Sequence, residues 1–125
     1  MVNPKLTLSN NSKERKEYPL FRGVLNYFPA ALAGVSKISK IGNDKHNPGE
    51  PMHHARSKSS DHLDCLIRHM MDCQDLIAYS NRADKNYEEI DEKILNEVSQ
   101  MVWRALAYSQ ELHEYYNYPK APGAK

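Results

Sequence analysis

"SSDHLDCLIRHMMDCQDLIAYS", residues 59–80, is the stretch that decides the fold. Leu63, Leu66, Ile67, Met70 and Ile77 recur at helical intervals along it. That spacing predicts an amphipathic helix with these residues as its core stripe and Ser59 or Ser60 as its N-cap. Away from this stripe, Asp61, Asp64, Arg68, Asp72 and Asp75 follow steps of three and four and line a second one. A charged stripe of this kind is either a solvated face laced by arginine pairs or a set of ligands.

Downstream, "SNRADKNY" (residues 80–87) reads as a polar connection. A last helix is then expected from Glu88 to Tyr116, carried by Ile90, Ile94, Val98, Met101, Ala105, Tyr108, Leu112 and Tyr115. At about 1.5 Å per residue it spans roughly 40 Å, long for so small a chain, and this predicts packing against another copy as a homodimer or homotetramer. Upstream, "PAALAGVSKISKIG" predicts a helix opened by Pro29 and closed at Gly42, with Leu32, Val35, Ile38 and Ile41 as its apolar stripe. Residues 43–58 hold two prolines, a glycine and no apolar period, so they read as a long loop. "YPLFRGVLNYF" (residues 18–28) is apolar but broken by Gly23, and reads as a short helix or a packing arm.

No strand alternation and no internal repeat appears, so the class is all-α, a small helical bundle completed by oligomerisation. Residues 1–14 and 118–125 are expected to be flexible tails, flanking a single domain over 15–117. A formal net charge of +1 argues against a dedicated nucleic-acid binder. No apolar run reaches the roughly 18 residues a membrane helix needs, which predicts a cytoplasmic protein without membrane partners. Cys65 and Cys73 lie eight apart on one helix, about 12 Å of rise, and are expected to be free thiols.

The start of the last helix, "YEEIDEKILNE", supplies a second acidic group with Glu88, Glu89, Asp91, Glu92 and Glu97. Asp61-x-x-Asp64 and Glu88-x-x-Asp91 are both carboxylate pairs three apart, on helices that a short connection makes antiparallel. Facing each other, they would form an oxygen-rich cage suited to Mg²⁺ or Mn²⁺. Asp72-x-x-Asp75 competes as the first pair, and Glu97 is a further candidate.

The chain also resembles the phage-type dATP/dGTP diphosphohydrolase N-terminal domain family, and more broadly the MazG-like all-α nucleotide pyrophosphohydrolases. In "RGVLNYFPAALAGVSKISKIGNDKHN", residues Arg22, Pro29, Gly42, Lys45, His46 and Asn47 stand where the family carries its opening pattern. "DCLIRHMM" is similar to the family's Asp-x-x-x-Arg-His through Asp64, Arg68 and His69, and "YEEID" to its Glu-x-x-Asp through Glu88 and Asp91. Where the family often has histidines near its last helix, this chain has Glu97 and Gln100.

The likeness covers roughly residues 18–110. It implies metal-dependent hydrolysis of a (deoxy)purine nucleoside triphosphate, dGTP or dATP, to monophosphate and pyrophosphate in phage nucleotide metabolism, within the host cytoplasm. Under this reading Asp61, Asp64, Glu88 and Asp91 hold Mg²⁺ or Mn²⁺. Arg22, Lys45, His46, Asn47 and Arg68 contact the substrate, and His69 with Arg68 serves the reaction. The same fold also admits a non-catalytic nucleotide-binding or interaction module.

Overall fold

The computed structural model describes residues 6–82 and 87–125, and their regular structure is helical throughout. A single turn, α1 (Ser12–Arg15), is followed by a π-helical turn (Phe21–Leu25) and by α2 (Pro29–His46). A 3-10 turn (Arg56–Lys58) leads into α3 (His62–Arg82) and α4 (Tyr87–Tyr115). The all-α expectation holds. The connection expected over residues 80–87 narrows, because α3 runs to Arg82 and α4 begins at Tyr87. Residues 83–86 lie outside the described residues.

Helices α3 and α4 form an antiparallel hairpin, with His69 against Glu97 and His62 against Arg104. Helix α2 packs on α4 alone among the long helices. It comes close there: a Cβ on Gly34 would sit 2.6 Å from Ser99 Oγ, so glycine admits the approach. Trp103 Nε1 donates to Ser39 Oγ at 2.8 Å and pins the same contact further along.

Helix α2 does not stop at Gly42 but continues to His46. Lys40 and Asp44 pair across one turn at 2.5 Å, and Asn47 Nδ2 donates to the Asn43 side-chain oxygen at 3.1 Å. These i, i+4 links carry the helix past the glycine. The expected loop of 43–58 therefore begins only after His46, and it is not structureless. Buried Asn43 donates to the Glu50 carbonyl, Asn47 donates to that of His53, and Gly49 turns the chain at φ 77°.

The C-terminal segment also departs from the flexible tail expected over 118–125. It pairs with the loop: His54 N–H donates to the Gly123 carbonyl, Lys125 N–H to that of His54, and Arg56 N–H to that of Lys125. Arg56 reaches Glu114 through two guanidinium nitrogens at 2.5 and 2.7 Å, and Glu114 also accepts from Ala121 N–H. One carboxylate thus ties the loop, α4 and the tail together. At the other end, α1 gives residues 12–14 of the expected N-terminal tail a helical turn capped by the Asn11 side chain.

The largest difference concerns the core. The stripe expected to be buried on α3 stands open, with Leu63, Ile67, Met70 and Ile77 each about half exposed. The face turned to α4 instead carries His62, Cys65, His69, Cys73 and Leu76. The cause lies on α4, whose facing stripe interrupts Ile90, Ile94 and Met101 with Glu97, Arg104 and Glu111. Charged groups at a helix interface need polar partners, and His69 and His62 supply them. Both cysteines are buried and free, as their spacing implied.

Candidate functional site

Between α2, the 47–58 loop, the first half of α3 and the middle of α4 lies a cleft of about 1050 Å³. Lys45, His46, Asn47, Asp61, Arg68 and His69 all line it, so most of the residues expected at the substrate do meet there. Arg22 does not. It sits on the exposed π-helical turn, outside the lining.

The cleft wall on α4 includes Trp103 and Arg104, which spacing did not single out. Arg104 Nη1 donates to Ser59 Oγ at 2.8 Å and to His62 Nδ1 at 3.0 Å, and its guanidinium lies 5.4 Å from the Trp103 ring centre. No carboxylate among the described residues pairs with it. With Nδ1 accepting, the His62 ring carries its proton on Nε2. That buried atom and Arg56 Nε lack a hydrogen bond, but both face the Glu111 carboxylate, at 3.4 and 3.8 Å. His54 packs edge-on against Trp103 at 5.0 Å. Burial lowers the His54 pKa from its ordinary value, and the neighbouring positive charge of Arg56 lowers it further.

A second, shallower groove of about 760 Å³ continues along α3 and α4. Asp72, Asp75 and Glu97 line it together with Lys93, and it shares Asn96 and Gln100 with the cleft. At the junction, His69 Nδ1 meets Glu97 Oε2 at 2.7 Å. His69, Asp72 and Glu97 each offer a ligand atom within 4.8 Å of the other two, a spacing that fits one metal ion. No other such group occurs among the described residues.

The cage expected from Asp61, Asp64, Glu88 and Asp91 does not form. The His69–Glu97 pair sets the register of the hairpin. From it, Asp64 lies five residues toward one end and Asp91 six toward the other, so about 16 Å of helix axis separates their levels. An antiparallel pair brings the start of one helix to the end of the next, and only residues in the second half of α3 can meet the start of α4. The competing pair Asp72 and Asp75 has the right level. Asp61 is also engaged elsewhere, since the Arg68 hydrogen bond at 2.7 Å, with help from Ser59, holds its carboxyl down at about 2.

The signal for Arg104 and Glu111, which were missed, was present on α4 beside the candidate Glu97. Glu97, Arg104 and Glu111 are charged residues at positions where the helical period calls for apolar ones. Places where the local pattern and the fold disagree in this way are expected at functional or strained sites. The described helices include none long and apolar enough to cross a membrane. No family model matches the chain, and neither a curated protein nor a solved structure matches it.

Proposed function

We propose that the chain is a divalent-cation-dependent nucleoside triphosphate pyrophosphohydrolase acting on a (deoxy)purine triphosphate, dGTP or dATP, in phage nucleotide metabolism. The observation that supports this reading best is the junction of two opposite charge environments. The cleft carries Lys45, Lys58, Arg68 and Arg104 against the single carboxylate Asp61. The groove it opens into carries Asp72, Asp75 and Glu97 against Lys93. A triphosphate brings about four negative charges, and a metal–triphosphate needs anionic oxygens on the metal and cations around the phosphates.

His69, Asp72 and Glu97 fit a divalent ion by their mutual reach, with Asp75 on the same groove as a further oxygen donor. The mixed imidazole and carboxylate set favours Mn²⁺ over Mg²⁺, which prefers oxygen alone. An ion held by His69, Asp72 and Glu97 would supply Lewis-acid chemistry there, offsetting phosphate charge and lowering the pKa of a water. Of the chain's own groups, Glu97 orients the His69 imidazole, Arg68 and Lys45 offset phosphate charge, and Trp103 with His54 offers the aromatic edge for a base.

The test is pyrophosphate release from the eight common nucleoside triphosphates with Mg²⁺ and with Mn²⁺, alongside melting with and without metal. Release confined to purine substrates and fastest with Mn²⁺ is expected. No release with any of them, and no metal-dependent melting, overturns the enzymatic reading. Nucleotide binding that persists without turnover then points to a non-catalytic nucleotide-binding module.

A further inference from the structure

His62 is the most deeply buried large side chain among the described residues, at 2% exposure, and the chemistry proposed above does not use it. It opens α3 and packs against α4 and the loop before it, with the rings of Trp103 and His54 about 6 Å away. What sets it apart from a packing residue is what its two ring nitrogens meet. Nδ1 accepts from Arg104 Nη1 at 3.0 Å, and Nε2 lies 3.4 Å from Glu111 Oε2.

The arginines of this region are held in two different ways. Arg56 is fixed by the Glu114 carboxylate through two nitrogens, and Arg68 by that of Asp61 at 2.7 Å. In each of those pairs the carboxylate cancels much of the charge that it positions. Arg104 is held instead by neutral acceptors, Ser59 Oγ at 2.8 Å and His62 Nδ1, with the Trp103 ring beside it. Acceptors of this kind give a half-buried guanidinium a fixed direction and leave its charge to the cleft. Glu111 lies seven residues further along α4, roughly 10 Å of rise, and the His62 ring reaches both. A carboxylate only accepts, so Glu111 favours the ring proton on Nε2 and leaves Nδ1 free for Arg104.

We infer that His62 is a positioning residue: it aims the Arg104 guanidinium into the cleft with its charge uncancelled, as the binder of a phosphate oxyanion, and Glu111 fixes the ring tautomer that does so. The inference rests on the reading that the cleft takes phosphates, and it requires neither the metal nor turnover. A carboxylate at position 62 would hold Arg104 but neutralise it. An alkyl side chain would leave it charged but undirected. A neutral imidazole does neither, and so the affinity of the cleft for a phosphate chain depends on a buried residue beneath the binding surface.

Titration calorimetry of the full chain with inorganic tripolyphosphate, without metal, tests this. His62→Leu should weaken binding about tenfold, approaching the loss from Arg104→Ala. His62→Asn should recover most of that loss, because its side-chain oxygen can take the place of Nδ1. With Arg104 already replaced by alanine, His62→Leu should change binding by less than about twofold, since its effect runs through that guanidinium. A merely structural role lowers binding equally in both backgrounds. Because His62→Leu can fail to fold, nitrogen NMR of the unaltered chain supplies a second readout: the His62 ring should carry its proton on Nε2, and Arg104→Ala should shift the Nδ1 resonance. Absence of tripolyphosphate binding by the unaltered chain overturns the inference together with the phosphate reading of the cleft. Binding that Arg104→Ala weakens and His62→Leu does not, equal losses in both backgrounds, or a proton on Nδ1 overturns the inference alone.

Discussion

The two sides of the α3–α4 hairpin come from the same helices and are opposite in chemistry. The cleft side is crowded with polar pairs: His69 with Glu97, Arg68 with Asp61, and Arg104 with Ser59 and His62. The opposite side is apolar and exposed along both helices, with Ile67 at 53% exposure and Leu95 at 67%. The comparison teaches that amphipathicity alone does not say which partner an apolar stripe will meet. Within one chain the hairpin is closed by polar pairing and small buried thiols. Its most hydrophobic stripes stay exposed on the other side.

The largest effect should come from the junction of cleft and groove. Glu97→Gln or Asp72→Asn is expected to reduce pyrophosphate release by about 100-fold or more and to abolish metal-dependent melting, since each removes a charged donor from a three-residue group. Steady-state turnover and calorimetric melting check this. Next in size, Arg104→Ala should weaken nucleotide binding by about 10- to 100-fold, the worth of charge-assisted hydrogen bonds at roughly 1.5–3 kcal/mol. Titration calorimetry with a non-hydrolysable triphosphate reads it without depending on turnover.

The apolar side is probed by Ile67→Ala. A solvated position costs within about 0.5 kcal/mol, while a covered one costs about 2 kcal/mol or more. Denaturant unfolding separates the two, and at 53% exposure the smaller cost is expected.

Acid tests the polar side. Hydrogen bonds from Arg68 and Arg56 hold the carboxyls of Asp61 and Glu114 at about 2, below their ordinary 3.8 and 4.5. Both values are depressed, so what these pairs contribute is complete above about pH 4.5 and is lost as pH falls toward 2. Amide exchange at His54, Arg56 and Lys125 should accelerate through that window, because Glu114 ties the tail and the loop to α4. The smallest effects are expected at Asp64 and Asp91. Their neutral variants, Asp64→Asn and Asp91→Asn, should shift stability by no more than about 0.5 kcal/mol and leave metal binding intact, as exposed residues away from the ligand group.

The three long helices and their approximate ends could be read from periodicity, because an i, i+3, i+4 pattern is a local property. The polar groups lining the cleft were partly legible too: Lys45, His46, Asn47, Arg68 and His69 were named from sequence and do converge. Arg22 was placed with them by the family pattern, yet the turn that carries it lies away from the cleft. The C-terminal tail was misread for a related reason. Its order comes from a non-local pairing with residues 54–56 and from Glu114, and its composition does not encode either.

Sequence by itself determined that this chain is all-α, that most of residues 59–80 form a helix with an apolar and an acidic stripe, and that the next helix runs antiparallel to it. Only the tertiary structure decided which carboxylates share a level. Spacing within a helix is set by 3.6 residues per turn, but the register between two helices is set by the pairs that lock them. Here His69 locks against Glu97 and His62 against Arg104. That register separates Asp64 from Asp91 and gathers Asp72 with His69 and Glu97, and it leaves the apolar stripes facing away from the site.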